Sequence, residues 1–344
     1  MNEEYLPSVL SASHGPLWRN PQPGIWSYDG EREDADRSRS ILQTLLDQPR
    51  WLEAYHLYDA RGSQLFERIC ELPEYYLTRT EDQLLSKHAA TIIDLACAEC
   101  IAELGAGFSR KTMHLLREQD RQRRGGAFAP IDVSLTGLTA SRDMIRNNFP
   151  ELAFHGLQAR FEHAIAGIER NLPTLFVFLG STIGNFTRVE FIRFFQHLSS
   201  CMGPNDFLLL GVDCVKETEI LEKAYDDSRG ITAEFILNVF LNINRIAQSN
   251  FDLEQMSYRS WYNRQWRQVE MFAVTERPQE ILFPLRQCSF IWENDDPILV
   301  EISRKFEPKK LQQQLRGFDL EPVASFTDPR DWFALLLLRK SQSA

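Results

Sequence analysis

The chain has 344 residues, 38 Lys and Arg against 48 Asp and Glu, a formal net charge of −10, and 43% hydrophobic and 25% charged residues. This is ordinary globular usage and excludes a chain disordered throughout, a fibre or a coiled coil, while the length corresponds to roughly two domains of ~150 residues. The acidic balance gives no electrostatic case for nucleic acid or an anionic membrane surface as a partner.

Residues 1–30, rich in Pro, Ser, Gly and Trp without sustained periodicity, read as an N-terminal tail or a lid that docks by its aromatics. Met1-Asn2-Glu3-Glu4 lacks the positive region and apolar run of a signal peptide, and the longest apolar run, Trp332–Leu338, falls far short of a ~20-residue span, so a cytoplasmic, membrane-free chain is expected. Thr80-x-x-Gln83 has the form of a capping box and predicts a helix from Thr80 to about Leu95. Short apolar strands are then predicted at 100–105, 127–133, 152–158, 174–180 and 206–212, with helices near 109–119, 135–148, 160–170 and 188–202. Such alternation implies a parallel sheet with helices on both faces. Residues 216–250 are helical in pattern, and 256–303 carries β-rich runs such as Val269–Val274, Ile281–Leu285 and Ile298–Ile302. A helix over 307–316 and strands near 320–326 and 331–339 resume the first pattern. The expected organisation is an α/β domain from 80–215 and 305–344 interrupted by an α+β domain from 31–79 and 216–304.

Cys70, Cys97, Cys100, Cys201, Cys214 and Cys288 are too sparse for a disulfide framework, so reduced thiols are expected. Cys97-Ala-Glu-Cys100 has half the spacing of a zinc site but nothing completes it, and no metal is expected. The basic run Arg117 to Arg124 reads as the solvated end of a helix. Gly180-Ser-Thr-Ile-Gly184 lacks the central Ser of a hydrolase elbow.

The first strand ends in Glu103-Leu-Gly105-Ala-Gly107-Phe-Ser109 and leads into a helix, a pattern that lets backbone approach a small ligand at the carboxyl edge of a sheet. Arg110 stands where a dinucleotide fold places its third glycine, which disfavours NAD and leaves the looser G-x-G of class I methyltransferases. Asp132 ends the second strand, where a carboxylate meets a ribose diol; an ordinary helix-capping Asp is the alternative.

Further segments resemble one family, the histidine-specific, S-adenosylmethionine-dependent N-alpha-methyltransferases of ergothioneine biosynthesis, over about residues 50 to 340. The resemblance rests on Leu57-Tyr58-Asp59 with Gly62-Ser63-x-Leu65-Phe66, Leu72-Pro73-Glu74-Tyr75-Tyr76, Thr78-Arg79-Thr80-Glu81, the glycine segment with Lys111-Thr112, and Phe178-Leu-Gly-Ser-Thr-Ile-Gly-Asn185. It continues through Ala224-Tyr225-Asp226-Asp227, Gly230-Ile-Thr232-Ala-Glu-Phe235, Glu270-Met271 and Glu301-Ile-Ser303-x-Lys305-Phe306. It implies a class I Rossmann-like α/β sheet with an inserted α+β domain, and methyl transfer from S-adenosylmethionine to the alpha-amino group of histidine or a related amino acid. By the same resemblance Tyr75, Gly105, Gly107, Lys111, Asp132, Arg160 and Phe161 line the cofactor site. Asn185, Tyr58 and Tyr225, with Thr232, hold the ends of the amino acid; Glu301 and Ser303 contact its imidazole, and Phe66 and Met271 form apolar walls. Oligomeric state is left open.

The chain departs from the family pattern in three places. Ala159-Arg160-Phe161 replaces the usual Gly-Asp-Phe, and Arg cannot accept the adenine amino N–H; Ile236 replaces a usual Asn and Phe108 a usual Thr. Two other readings therefore stand beside methyl transfer: intramolecular attack on the sulfonium with release of methylthioadenosine, and a non-catalytic binding paralogue.

Overall fold

The computed structural model describes residues 18–28, 34–122, 126–165 and 172–341. Most of the expected tail, Arg123 and Arg124 of the basic run, and the end of the helix expected over 160–170 lie outside the described residues. In chain order the elements begin β1 (Trp18–Gln22), β2 (Ile25–Tyr28), α1 (Asp34–Leu46), α2 (Ala60–Cys70), α3 (Tyr76–Ala96), β3 (Cys100–Leu104), α4 (Met113–Arg121), β4 (Ala127–Asp132), α5 (Leu135–Asn148), β5 (Ala153–Phe154) and β6 (Gly156–Gln158). They continue α6 (Phe161–Ile165), β7 (Thr174–Phe178), α7 (Arg188–Cys201), β8 (Phe207–Asp213), α8 (Thr218–Tyr225), α9 (Ile231–Ala247), β9 (Met256–Asn263), β10 (Gln268–Thr275) and β11 (Gln279–Phe283). The last are β12 (Cys288–Trp292), β13 (Ile298–Arg304), α10 (Pro308–Arg316), β14 (Leu320–Thr327) and β15 (Phe333–Lys340). Two units result: Met1–Gly30, Leu77–Val215 and Phe306–Ala344 in one, Glu31–Tyr76 and Lys216–Lys305 in the other.

The first unit is built on one sheet of order β1-β2-β6-β4-β3-β7-β8-β15-β14, with β5 beside β4. Strands β2, β6, β4, β3, β7 and β8 run parallel, whereas β15 and β14 are antiparallel additions. Every residue of β3 and β7 is buried, which is why these strands read as unbroken apolar runs rather than alternating ones. After β3 the chain builds outward through β4 and β6, then returns to the other side of β3 with β7. That reversal is a topological switch point, where the carboxyl ends of neighbouring strands part and admit a ligand.

The structure corrects several sequence expectations. Residues 18–28 are a strand pair that extends the sheet, Ile25 standing opposite Gly156 and Trp26 opposite Leu157, and not a tail. The helix expected to start at Thr80 starts at Tyr76: a capping box is worth about 1 kcal/mol, less than the burial of Tyr76 and Leu77 in the additional turn. The helix expected from 109 starts at Met113, because Ser109 has a left-handed backbone (φ 52°) through which no α-helix continues. The strand expected over 152–158 is split at His155, and the helical stretch 216–250 is broken between Tyr225 and Ile231.

In the second unit β13, β10 and β9 form an antiparallel sheet and β11 pairs with β12. Strands β9 and β12 lie within the β-rich block expected over 256–303. Helix α9 packs against α1, α2 and β9. It buries Ile231, Phe235, Ile236, Val239, Phe240, Ile243 and Ile246, which at about 3.6 residues per turn share one wide face, while Leu241 and Arg245 on the opposite side are exposed.

Candidate active site

In the sheet unit, Gly105 and Gly107 both have positive φ, at 68° and 49°, and a side chain at either would be strained. Asp132, at the end of β4, holds this loop: Oδ2 accepts the Gly107 N–H at 2.7 Å and Oδ1 the Ser134 N–H at 2.8 Å. Burial raises the Asp132 pKa against the pull of these donors. Ser134 in turn caps α5, its Oγ accepting the Gly137 N–H. The ribose and capping readings of Asp132 are therefore compatible, since a carboxylate offers about four lone-pair positions and the backbone fills only some of them.

Glu103, at the end of β3, is buried; Oε1 accepts from the Thr112 hydroxyl, while Oε2 is buried without a hydrogen-bond partner. Burial pushes its pKa up to about 7. Glu81, on α3 and fully buried, accepts the Gly180 N–H on both oxygens (2.8 and 2.9 Å) and the Lys111 ammonium on Oε2. It ties the glycine-loop region to the turn after β7, which continues through a 3-10 turn, Thr182–Asn185, to Asn185. Gly211 on β8 makes this possible, because a Cβ there would stand 2.0 Å from Glu81 Oε1. Arg160 precedes α6, its carbonyl accepting the His163 and Ala164 N–H groups. The Phe161 ring lies in a cluster with Phe178, Phe186 and Phe194, beside Gly105.

The second unit gathers a different set. Asp59 caps α2 and accepts from Gly62 N–H and from Asn238 of α9, which fixes the adjoining Tyr58. Rings then follow in contact: Tyr58 with Phe66 and Phe235 at 5.8 and 5.7 Å, Phe66 with Tyr75 at 6.3 Å, and Tyr75 with Tyr225 at 6.0 Å. Tyr75, grouped by resemblance with the cofactor, also stands in this aromatic row. Asp227 accepts the N–H groups of Arg229, Ile231 and Thr232, capping α9 and setting Thr232 in its first turn; burial opposes ionisation, but the donors prevail and its pKa is lowered.

Strand β13 carries Glu301, Ser303 and, just beyond its end, Lys305 at alternate positions, all buried. Met271 of β10 stands opposite Glu301, and Ser260 of β9 opposite Met271. Alternate residues share one face of a strand, so the carboxylate, hydroxyl and thioether lie together. Burial pushes the Glu301 pKa up to about 8, with Lys305 pulling the other way. The Tyr225 and Ser303 hydroxyls are 2.8 Å apart, and Lys305 Nζ donates to both, at 2.7 and 2.8 Å. Of the departures, Ile236 is fully buried in α9, and Phe108 lies under the Arg110 guanidinium.

Sequence reasoning missed Glu81, Glu103 and Lys305 as site members. All three stood inside quoted motifs, and the alternation Glu301, Ser303, Lys305 was the available signal for the last. Among the described residues no group of His, Cys, Asp or Glu is arranged to hold a metal, and no helix is long and apolar enough to cross a membrane.

The strand order, the switch point at β3 and the glycine loop capped by an acidic residue on β4 define a class I S-adenosylmethionine-dependent methyltransferase fold. The residues fit that cofactor: an acceptor atom of Glu103 lacks a donor, Asp132 has acceptor positions to spare, and Lys111 brings a cation, against a ligand that carries ammonium, hydroxyl and carboxylate groups. Residues 37–340 match the model of the histidine-specific, S-adenosylmethionine-dependent methyltransferases, and the chain belongs to that family. It is 34% identical over 305 residues to the histidine N-alpha-methyltransferase of Mycobacterium tuberculosis, covering 88% of this chain and 94% of that protein. The histidine N-alpha-methyltransferase of Mycolicibacterium smegmatis is 35% identical over 302 residues, covering 87% and 93%. Ergothioneine biosynthesis protein 1 of Neurospora crassa is 31% identical over 307 residues, 86% of this chain but 34% of that protein. The protein is a methyltransferase, and none of these relatives favours the cyclising or non-catalytic reading.

Proposed function

We propose that the protein methylates the alpha-amino nitrogen of histidine or a closely related amino acid, with the cofactor held at the glycine loop of the sheet unit. The observation that carries this reading is Glu301, a buried carboxylate in line with Met271 and two positions from Ser303. Its oxygens, beside a hydroxyl and a thioether, suit an imidazole, which brings an N–H for them to accept, better than a phenyl ring, which brings none. When bound, S-adenosylmethionine supplies the electrophilic methyl group of its sulfonium.

The chain's part is positioning. Asp132 holds the glycine loop and takes the ribose hydroxyls; Gly105, Gly107, Lys111, Arg160 and Phe161 line the remainder of the cofactor site. Asn185, Tyr58, Tyr225 and Thr232 orient the amine and carboxylate of the acceptor, and Phe66, Tyr75 and Met271 wall it. Uncharged amide and phenol groups suit this task, since a carboxylate beside the amine would raise its pKa and keep it protonated and non-nucleophilic. Holding a neutral amine at about 3–3.5 Å from the methyl carbon accounts for most of the catalysis required.

The test is initial S-adenosylhomocysteine release with histidine and with phenylalanine, for wild type and Glu301→Ala. Histidine is preferred by wild type, because its imidazole N–H hydrogen-bonds the Glu301 oxygens and a phenyl ring cannot, a difference of about 1–3 kcal/mol, and the preference narrows in the variant. Equal rates with both acceptors in wild type overturn the reading.

A further inference from the structure

Lys305 is only 4% exposed, and its ammonium does not reach the surface as a lysine head normally does. Instead Nζ donates to Tyr225 Oη at 2.7 Å and to Ser303 Oγ at 2.8 Å, and lies 4.5 Å from the centre of the Tyr225 ring. The two oxygens are themselves 2.8 Å apart, which closes a triangle of one ammonium and two hydroxyls. An ammonium donates only, so each oxygen spends an acceptor position on Lys305. One hydroxyl proton lies between the oxygens, and the other must point away from the triangle. The same residue tempers Glu301, two positions beyond Ser303 on the strand.

We infer that Lys305 is a positioning and specificity residue for the acceptor: it holds the Tyr225–Ser303 pair as a hydrogen-bond donor unit beside the Glu301 acceptor. The inference rests on the histidine reading and deepens it. A donor and a carboxylate side by side recognise a ring that carries both a lone-pair nitrogen and an N–H, the pattern of neutral imidazole. Phenylalanine has neither, and an indole has only the N–H. A neutral side chain at 305 frees both oxygens to accept, leaves the hydroxyl protons without a fixed direction and removes the cation that tempers Glu301. Acceptor recognition then falls while the cofactor site, made of other residues, is unchanged.

The experiment compares wild type, Lys305→Met and Lys305→Gln by steady-state kinetics with histidine, phenylalanine and tryptophan, and by calorimetric titration with S-adenosylmethionine. Loss of charge-assisted bonds predicts histidine KM raised about 10- to 150-fold at saturating cofactor, with cofactor Kd within twofold and the ratio of histidine to phenylalanine kcat/KM reduced by at least tenfold. Unchanged histidine KM and unchanged acceptor ratio in folded variants overturn the role of Lys305 alone. Wild type that does not prefer histidine overturns the parent reading, and this inference with it. Should neither variant fold, Ser303→Ala and Tyr225→Phe are measured singly and together: coupling through one ammonium requires strongly non-additive effects on histidine KM, and additive effects overturn the proposal.

Discussion

In the sheet unit the polar groups around the glycine loop are largely backbone N–H groups collected by carboxylates, Asp132 taking those of Gly107 and Ser134 and Glu81 that of Gly180. In the second unit they are side chains meeting side chains, Tyr225, Ser303 and Lys305 on a helix and a strand that pack through the sheet of β9, β10 and β13. The first construction depends on backbone N–H groups and on the positive φ of Gly107 and Gly180 rather than on side-chain chemistry; it suits a ligand common to many enzymes. The second changes with every substitution, which is what discrimination among acceptors requires. Variants in the two units should therefore separate cofactor affinity from acceptor recognition.

The largest effect is expected at Glu81. Glu81→Ala leaves Lys111 and the Gly180 N–H without their buried partner, and breaking such a pair costs about 3–5 kcal/mol, toward the lower figure here because Lys111 retains some water. Urea unfolding measures it; a loss below about 1 kcal/mol would show that the network is incidental to the sheet unit. Next comes Asp132→Ala, which removes charge-assisted bonds worth about 1.5–3 kcal/mol and should weaken S-adenosylmethionine binding about 10- to 150-fold by calorimetry, with histidine KM at saturating cofactor unchanged. A parallel rise in histidine KM would erase the division of labour.

Glu301 sharpens the comparison through pH. Its folded pKa, about 8, lies above the ordinary carboxylate value, so its neutral form is favoured on folding. That contribution is complete below the unfolded pKa near 4.3 and is lost as pH rises through about 8. Glu301→Gln removes the dependence, so the Tm of the variant should gain on wild type between pH 5 and 8.5. The gain should be a few degrees, on the scale of about 2–4 °C per kcal/mol. A constant difference across that range would mean that Glu301 is ionised throughout. The smallest effect belongs to the surface of the second unit, where Glu234 pairs with Arg61 at 3.0 Å and both side chains are about half exposed. Glu234→Ala should cost no more than about 1 kcal/mol in urea and leave histidine KM untouched.

The strand–helix alternation, the glycine loop and the acidic residue ending the second strand were legible in the sequence because each is written in a short window: apolar runs where strands are buried on both faces, glycines where φ is positive, a carboxylate beside the backbone it caps. Roles for Tyr58, Tyr225, Glu301 and Ser303 came from resemblance to a family, not from spacing. Tertiary structure alone decided the rest. Residues 18–28 became strands because β6 offered an edge to pair with, and α3 began a turn early because Tyr76 and Leu77 found a core. Glu81 looked like one more polar residue on a helix until Lys111 and Gly180, 30 and 99 positions away, closed on it. Lys305 met Tyr225 across 80 positions. Such pairs are set by strand register and by which elements pack together, and a buried charge acquires its meaning only from the partners that packing brings to it.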